Sequence, residues 1–172
     1  MNLYLMRHNE ARPVGGEILR DADRPLTDDG ERIAGVMGRM LALVDPSISL
    51  ILTSSLKRAR QTGEIIGREL RTGVTIRVSE NLAPGLPSKA FIKELSSLGE
   101  EKGVVAVGHQ PDMSSLISML IAGSLHAAVA MATGAVAKIV VQPPSRHLEA
   151  HLEWLLTPQL LKEIHSMSDR KT

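Results

Sequence analysis

Asn2-Leu3-Tyr4-Leu5-Met6-Arg7-His8-Asn9-Glu10 is an apolar run that ends on a cation and an imidazole. It holds no turn former before Asn9 and does not alternate, which predicts a strand buried on both faces in a parallel sheet. Ligands of open α/β sheets bind beyond the carboxyl ends of such strands, so Arg7 and His8 stand where a site is expected. The competing reading makes Arg7 a surface cap and His8 a hydrogen-bonded edge histidine. Two further stretches resemble this one. Leu50-Ile51-Leu52-Thr53 runs into Ser54-Ser55 and a helix carrying Lys57, Arg58 and Arg60, and Gly103-Val104-Val105-Ala106-Val107 runs into Gly108-His109-Gln110-Pro111-Asp112.

Between these strands the chain reads as helices. Thr27 is a candidate N-cap, with Asp28 and Asp29 in the first turn where the helix dipole favours them. Ile33, Val36, Met37, Met40, Leu41 and Val44 then recur at helical spacing until Asp45-Pro46. Ser54-Ser55 can cap the second helix, whose three cations cannot all point one way. A short strand over Val74–Val78 precedes Glu80, the turn-rich Ala83–Pro87 and a helix over about Ser88–Leu98. Pro111 can start a helix with Asp112 in its first turn and Leu116, Ile117, Leu120 and Ile121 as its stripe. Ala135–Val141 reads as a fifth strand, broken by Pro143-Pro144. His147 and His151 have metal-ligand spacing on a helix. However, Leu148, Ala150, Leu152 and Trp154 alternate with His147, Glu149, His151 and Glu153, the period of a half-solvated edge strand, and no third ligand is evident. A helix over about Pro158–Met167 follows.

Alternating strands and helices predict a three-layer α/β/α sandwich with a mostly parallel central sheet and an antiparallel edge. At 172 residues, 43% hydrophobic and 23% charged, the length suits one domain over residues 1–172. Aromatics are only 2%, so Leu, Ile, Val, Ala and Met must fill the core. Twenty basic against nineteen acidic residues, without a basic run, argue against nucleic acid. There is no cysteine, hence neither a disulfide framework nor a thiolate metal site. With no signal-like or membrane-length segment, a cytoplasmic protein without a membrane partner is expected. Arg7, His8, Arg58 and His109 can converge if their strands are neighbours. Two guanidinium forks and two imidazoles, without carboxylates or metal ligands, suit a tetrahedral oxyanion such as phosphate.

Four ordered motifs resemble the histidine phosphatase (phosphoglycerate mutase-like) superfamily. Leu5-Met6-Arg7-His8-Asn9-Glu10-Ala11 resembles its Arg-His-Gly signature, with Asn9 in place of the usual Gly. Arg24-Pro25-Leu26-Thr27 with Gly30 resembles the segment that opens its first helix. Ser54–Thr62 resembles its second arginine motif and Gly108-His109-Gln110-Pro111 its second histidine motif. Small size, Ala11 and the ending Glu153–Pro158 are most similar to the bacterial phosphohistidine phosphatase (SixA) branch.

The resemblance implies that His8 is a nucleophile that becomes transiently phosphorylated, and that Arg7, Arg58 and His109 bind and stabilise the transferring phosphoryl group, with no metal and no cofactor. Adjacent guanidinium charges would hold His8 neutral for attack. A proton donor is expected near Glu80, although an alignment on Leu82 and Pro84 would put Asn81 there, and Glu10 is a weaker candidate. Imidazole leaves more easily than an alkoxide, so an ambiguous acid and short loops favour a phosphohistidine on a signalling phosphoprotein, such as a phosphotransfer domain, as substrate. A small-molecule phosphomonoesterase and a non-catalytic phosphate-binding module are the alternatives. A monomer or weak dimer is expected.

Overall fold

The computed structural model describes residues 1–70, 73–99, 101–142 and 149–169. Its centre is a six-stranded sheet built from β1 (Asn2–Arg7), β2 (Ile48–Thr53), β3 (Thr75–Val78), β4 (Gly103–Gly108), β5 (Val136–Val141) and β6 (Ala150–Leu156), in the order β3-β2-β4-β1-β5-β6. The first four of that order run parallel, whereas β5 is antiparallel to both β1 and β6. The expected mixed sheet is therefore present, with its antiparallel part on one side.

The sheet is covered on both faces because its central strands carry apolar side chains on both of them. Leu3, Leu5, Leu50, Leu52, Val104 and Ala106 face one core, shared with Phe91 and Leu95 of α3 (Ser88–Ser96) and Leu116 and Ile117 of α4 (Asp112–Ala122). The alternate residues Tyr4, Met6, Ile51, Val105 and Val107 face the other, against α1 (Asp28–Val44) and α2 (Lys57–Glu69). Leu161, on α5 (Pro158–Asp169), packs against the same second core. Each Leu, Ile or Val so buried contributes about 1.5–3 kcal/mol. No helix among the described residues is long and apolar enough to cross a membrane.

Local chemistry sets the helix ends. Thr27 caps α1 as expected, its Oγ1 accepting from Gly30 N at 3.0 Å, and the helix stops at Asp45. Two expectations are corrected. Neither Ser54 nor Ser55 caps α2: Leu56 stands at that position without a side-chain bond, and Ser54 is engaged elsewhere. Pro111 precedes α4 instead of opening it, and Gln110 supplies the cap, its Oε1 accepting from Ser114 N at 3.1 Å.

The edge reading of β6 also needs a change. The strand alternates in exposure from Ala150, but a register shift opposite Lys138/Ile139 lets it switch faces. Ala150 and Leu152 therefore join the first core and Trp154 and Leu156 the second, not one common face. His147 and Leu148 lie outside the described residues. His151 is an exposed strand residue paired with Val140, and no cluster of three metal-ligating side chains occurs among the described residues.

Candidate active site

Register brings the two histidines together. β1 and β4 pair in parallel with Arg7 opposite Gly108, so the next residue on each strand is a histidine. The His8 and His109 rings stand 5.0 Å apart between centroids, tilted by 55°. The backbone beyond β1 is clamped from three sides. His8 N donates to Gly108 O, Gly134 N donates to His8 O, and Asn9 N donates to Thr62 Oγ1 on α2. α2 begins two residues after Ser54-Ser55 and turns Arg58 inward, where its side chain is only 7% exposed, whereas Lys57 and Arg60 point to solvent. One of the three cations in the first turn of that helix is thus delivered to the histidines.

His8 is held in one chemical form. Its Nδ1 lies 2.7 Å from the Asn9 carbonyl oxygen, which can only accept, so Nδ1 carries the ring proton. Its Nε2 accepts from Arg58 Nε at 3.1 Å and is therefore the lone-pair nitrogen. Burial, together with the Arg58, Arg7 and Arg24 charges, lowers the His8 pKa from 6.5 to about 4 against the opposing pull of the Asn9 carbonyl. A neutral imidazole with its lone pair on Nε2 is a nucleophile at neutral pH once the Arg58 donor gives way to the reacting group.

His109 is kept neutral by the same means. Burial first, then the charges of its neighbours His8, Arg58 and Arg7, lower its pKa to about 3, with Asp21 opposing. Its Nε2 lies 2.8 Å from Ser54 Oγ, which also accepts from Leu56 N. His109 Nδ1 and Arg7 Nε are buried without a hydrogen-bond partner among the described residues. Arg7 Nη1 donates to the Met131 carbonyl at 3.0 Å. Buried polar atoms of this kind are costly unless something pairs with them, and an oxyanion lying between the rings would do so. Two guanidinium groups beside two neutral imidazoles suit an anion.

Arg7, His8, Arg58 and His109 thus come together as the sequence suggested, but the expectation of a site free of carboxylates is corrected. Asp21, in a 3-10 turn at Asp21–Asp23, accepts from Arg58 Nη1 with its carbonyl at 2.8 Å and from Arg58 Nη2 with Oδ2 at 3.0 Å. Asp21 lies in the polar loop between Arg12 and Arg24, where nothing in the mixed charges of the sequence singles it out. Ser54 was likewise missed, because a serine before a helix reads as a cap.

Glu80 and Glu10, the two acid candidates, and Asn81, which the other alignment puts in the place of Glu80, are each hydrogen-bonded outside the histidine pair. Glu80 is exposed and accepts from Ser55 Oγ at 3.1 Å, one residue from the partner of His109. Asn81 Nδ2 donates to Glu94. Glu10 accepts from Thr27 Oγ1 at 2.8 Å at the start of α1. Asn9, standing where the resemblance has Gly, turns its carboxamide away to Gly134, where a Cβ would lie 2.4 Å from Asn9 Oδ1. The backbone at Asn9 has no positive φ, so an Asn is accommodated without strain.

Comparison with known proteins agrees with this geometry. The family model described as "Histidine phosphatase superfamily (branch 1)" matches residues 3–83, from the start of β1 to the turn after β3. An uncharacterized protein of Picosynechococcus is 36% identical over 115 residues, 66% of this chain and 68% of that protein. The phosphohistidine phosphatase SixA of Escherichia coli is 30% identical over 127 residues, 72% of this chain and 76% of that protein. A solved structure of the protein histidine phosphatase SixA complexed with tungstate superposes with a TM-score of 0.83 at 25% identity, covering 94% of this chain and 99% of that one. The similarity supports phosphatase activity, and on the shared sequence and fold the chain belongs to the histidine phosphatase superfamily, whose branch 1 model it matches.

Proposed function

We propose that the protein is a phosphatase that works through a phosphohistidine on His8 and removes phosphate from phosphohistidine in a signalling phosphoprotein. The observation that carries this reading is the fixed tautomer of His8, with Nδ1–H on the Asn9 carbonyl and Nε2 as the lone-pair atom. In the first step His8 Nε2 forms a bond to phosphorus as the substrate's N–P bond breaks. The departing imidazole, already protonated on its other nitrogen, leaves neutral. In the second step water attacks phospho-His8, a proton passes to solvent, and inorganic phosphate and neutral His8 are released.

The protein's part is placement and charge. Arg7 and Arg58 stabilise the phosphoryl oxygens, which is most of what phosphoryl transfer requires. In this reading the Ser54 hydroxyl, 2.8 Å from His109 Nε2, donates to that nitrogen, which makes Nδ1 of the ring a neutral N–H donor to the same oxygens. The reading needs no metal and no cofactor. Tungstate in the SixA relative is a tetrahedral oxyanion, which supports assigning the same ligand class here. The substrate preference rests on the leaving group. Glu80 and Glu10 are hydrogen-bonded to Ser55 and Thr27, and Asn81, at the position that the other alignment favours, cannot act as an acid, so the reading gives no residue the task of protonating an alkoxide. A phosphoramidate does not need one.

The test is hydrolysis of a phosphorylated phosphotransfer domain beside a panel of small phosphomonoesters, with acid-labile phosphoenzyme trapping. Expected are selective loss of phosphohistidine, a trapped phosphoenzyme, loss of both in His8→Ala, and turnover of Glu80→Gln within about threefold of wild type. Turnover of small esters alone, abolished in Glu80→Gln, would replace this reading by a phosphomonoesterase with Glu80 as acid. Phosphate binding without phosphoenzyme or turnover would make the protein a binding module.

A further inference from the structure

Arg58 must present its N–H groups to a phosphoryl group on His8, yet it comes from a helix whose first turn has no cap side chain to stiffen it. Its guanidinium has five N–H groups. Nε–H points at His8 Nε2, and one N–H from each Nη is taken by Asp21, through the backbone carbonyl and Oδ2. Asp21 therefore grips the far end of the guanidinium and leaves its Nε side turned to the nucleophile. The grip has its own anchor. Asp21 Oδ1 accepts from Arg24 Nη1 at 2.9 Å, and Arg24 also donates to the carbonyls of Arg12, through Nε at 2.6 Å, and of Ala11, through Nη2 at 3.2 Å. Residues 11 and 12 continue the segment that carries His8. The contacts close a ring that runs from His8 along its own chain to Arg24, then through Asp21 and Arg58 back to His8 Nε2.

From this ring we infer that Asp21 is a positioning residue for the phosphoryl-transfer reaction, holding Arg58 in register with His8. The inference deepens the proposed function and rests on it for its kinetic arm only. A second consequence follows from charge. Asp21 is the carboxylate that faces Arg58 and Arg24, and it offsets part of the positive field that would otherwise retain the product, inorganic phosphate. Neighbouring acids do not share the role: Asp23, on the same turn, pairs with Arg20 at 2.6 Å, exposed to solvent and away from Arg58.

The test compares Asp21→Asn with Asp23→Asn as a control of the same turn. One carboxamide oxygen cannot accept from Arg24 and Arg58 as two carboxylate oxygens do, so the side-chain half of the grip is lost and Arg58 is left with the backbone carbonyl of residue 21 alone. The first readout is the 15N resonance of the unprotonated His8 Nε2. It is expected to move downfield in Asp21→Asn, as the lone pair loses the Arg58 donor, and to stay in place in Asp23→Asn. The second is kinetic: kcat on a phosphorylated phosphotransfer domain falls on the order of 10- to 100-fold in Asp21→Asn, while the Kd for inorganic phosphate is unchanged or tighter. Asp21 is exposed, with its side chain at 57%, so the variant should fold, and Asp21→Ser removes the two carboxylate oxygens a second way. An unmoved Nε2 resonance in both Asp21 variants overturns the inference whatever the activity. So does a parallel weakening of phosphate binding and kcat with an equal drop in Tm, which marks a merely structural side chain. A moved resonance in a protein that turns over no phosphohistidine supports the positioning role and overturns the substrate reading instead.

Discussion

Acidifying the protein from pH 8 to pH 5 should cost it stability in an amount set by the two site histidines. Both have folded pKa values, about 4 for His8 and about 3 for His109, below the ordinary 6.5. Over this window the unfolded chain binds more protons than the folded one, so stability is complete above 6.5 and is lost as the pH falls toward the folded values. At pH 5 an unfolded histidine is about 97% protonated while both site histidines remain neutral, which gives about 2 kcal/mol each and on the order of 4 kcal/mol together. The magnitude at pH 5 barely depends on how far below 5 the folded values lie. Carboxylates held low by arginine, such as Asp21 and Asp29, act only as the pH falls toward and below 3.8, outside the window. Urea unfolding at pH 8 and pH 5 measures the loss, and His8→Gln should shrink it by about 2 kcal/mol. An identical loss in wild type and His8→Gln, or a His8 imidazole titrating near 6.5 by NMR, would refute the argument that burial and guanidinium charge hold this ring neutral.

Gly134 has φ +73°, and an added Cβ would meet Asn9 Oδ1 at 2.4 Å and Pro158 Cγ at 3.1 Å. Gly134→Ala should therefore cost about 2 kcal/mol in urea unfolding. Adding Asn9→Gly should recover about 1 kcal/mol of it, the contact part, and leave the backbone part. Tyr4→Phe should cost about 1–2 kcal/mol, because the buried Tyr4 hydroxyl donates to Asp45 Oδ2 at 2.8 Å and the carboxylate would lose one of its partners. Tungstate at 100 times its Kd should stabilise the wild type by about 2.7 kcal/mol in a thermal-shift assay and leave Arg58→Ala unmoved. Equal shifts in both would place the anion elsewhere.

The strands that carry the site were legible because they are apolar at successive positions and end abruptly on His or Arg. Those two features survive any uncertainty about helix ends. Thr27 was legible for a local reason as well, since a capping hydroxyl needs only its own next three residues. What could not be read depends on contacts distant in the chain. Asp21 meets Arg58 across 37 residues, and Ser54 meets His109 across 55. Each looks locally like an ordinary loop acid or helix cap. The face switch of β6 was hidden for a related reason, since a bulge is a property of the pair and not of either strand alone.

The place of β1 in the sheet has a consequence for synthesis. Its residues 2 to 7 pair on one side with 103 to 108 and on the other with 136 to 140. β1 is thus inserted between two strands that emerge much later, and the loops that must close are long. His8 has no second imidazole until residue 109 has been translated and its strand docked. A partly synthesised chain would carry the reactive imidazole without the surroundings that make it a nucleophile, so the phosphatase should switch on only when the last central strands are in place. Release of stalled chains of increasing length, assayed for phosphoenzyme, would show that onset as a step after β5 and not as a gradual rise.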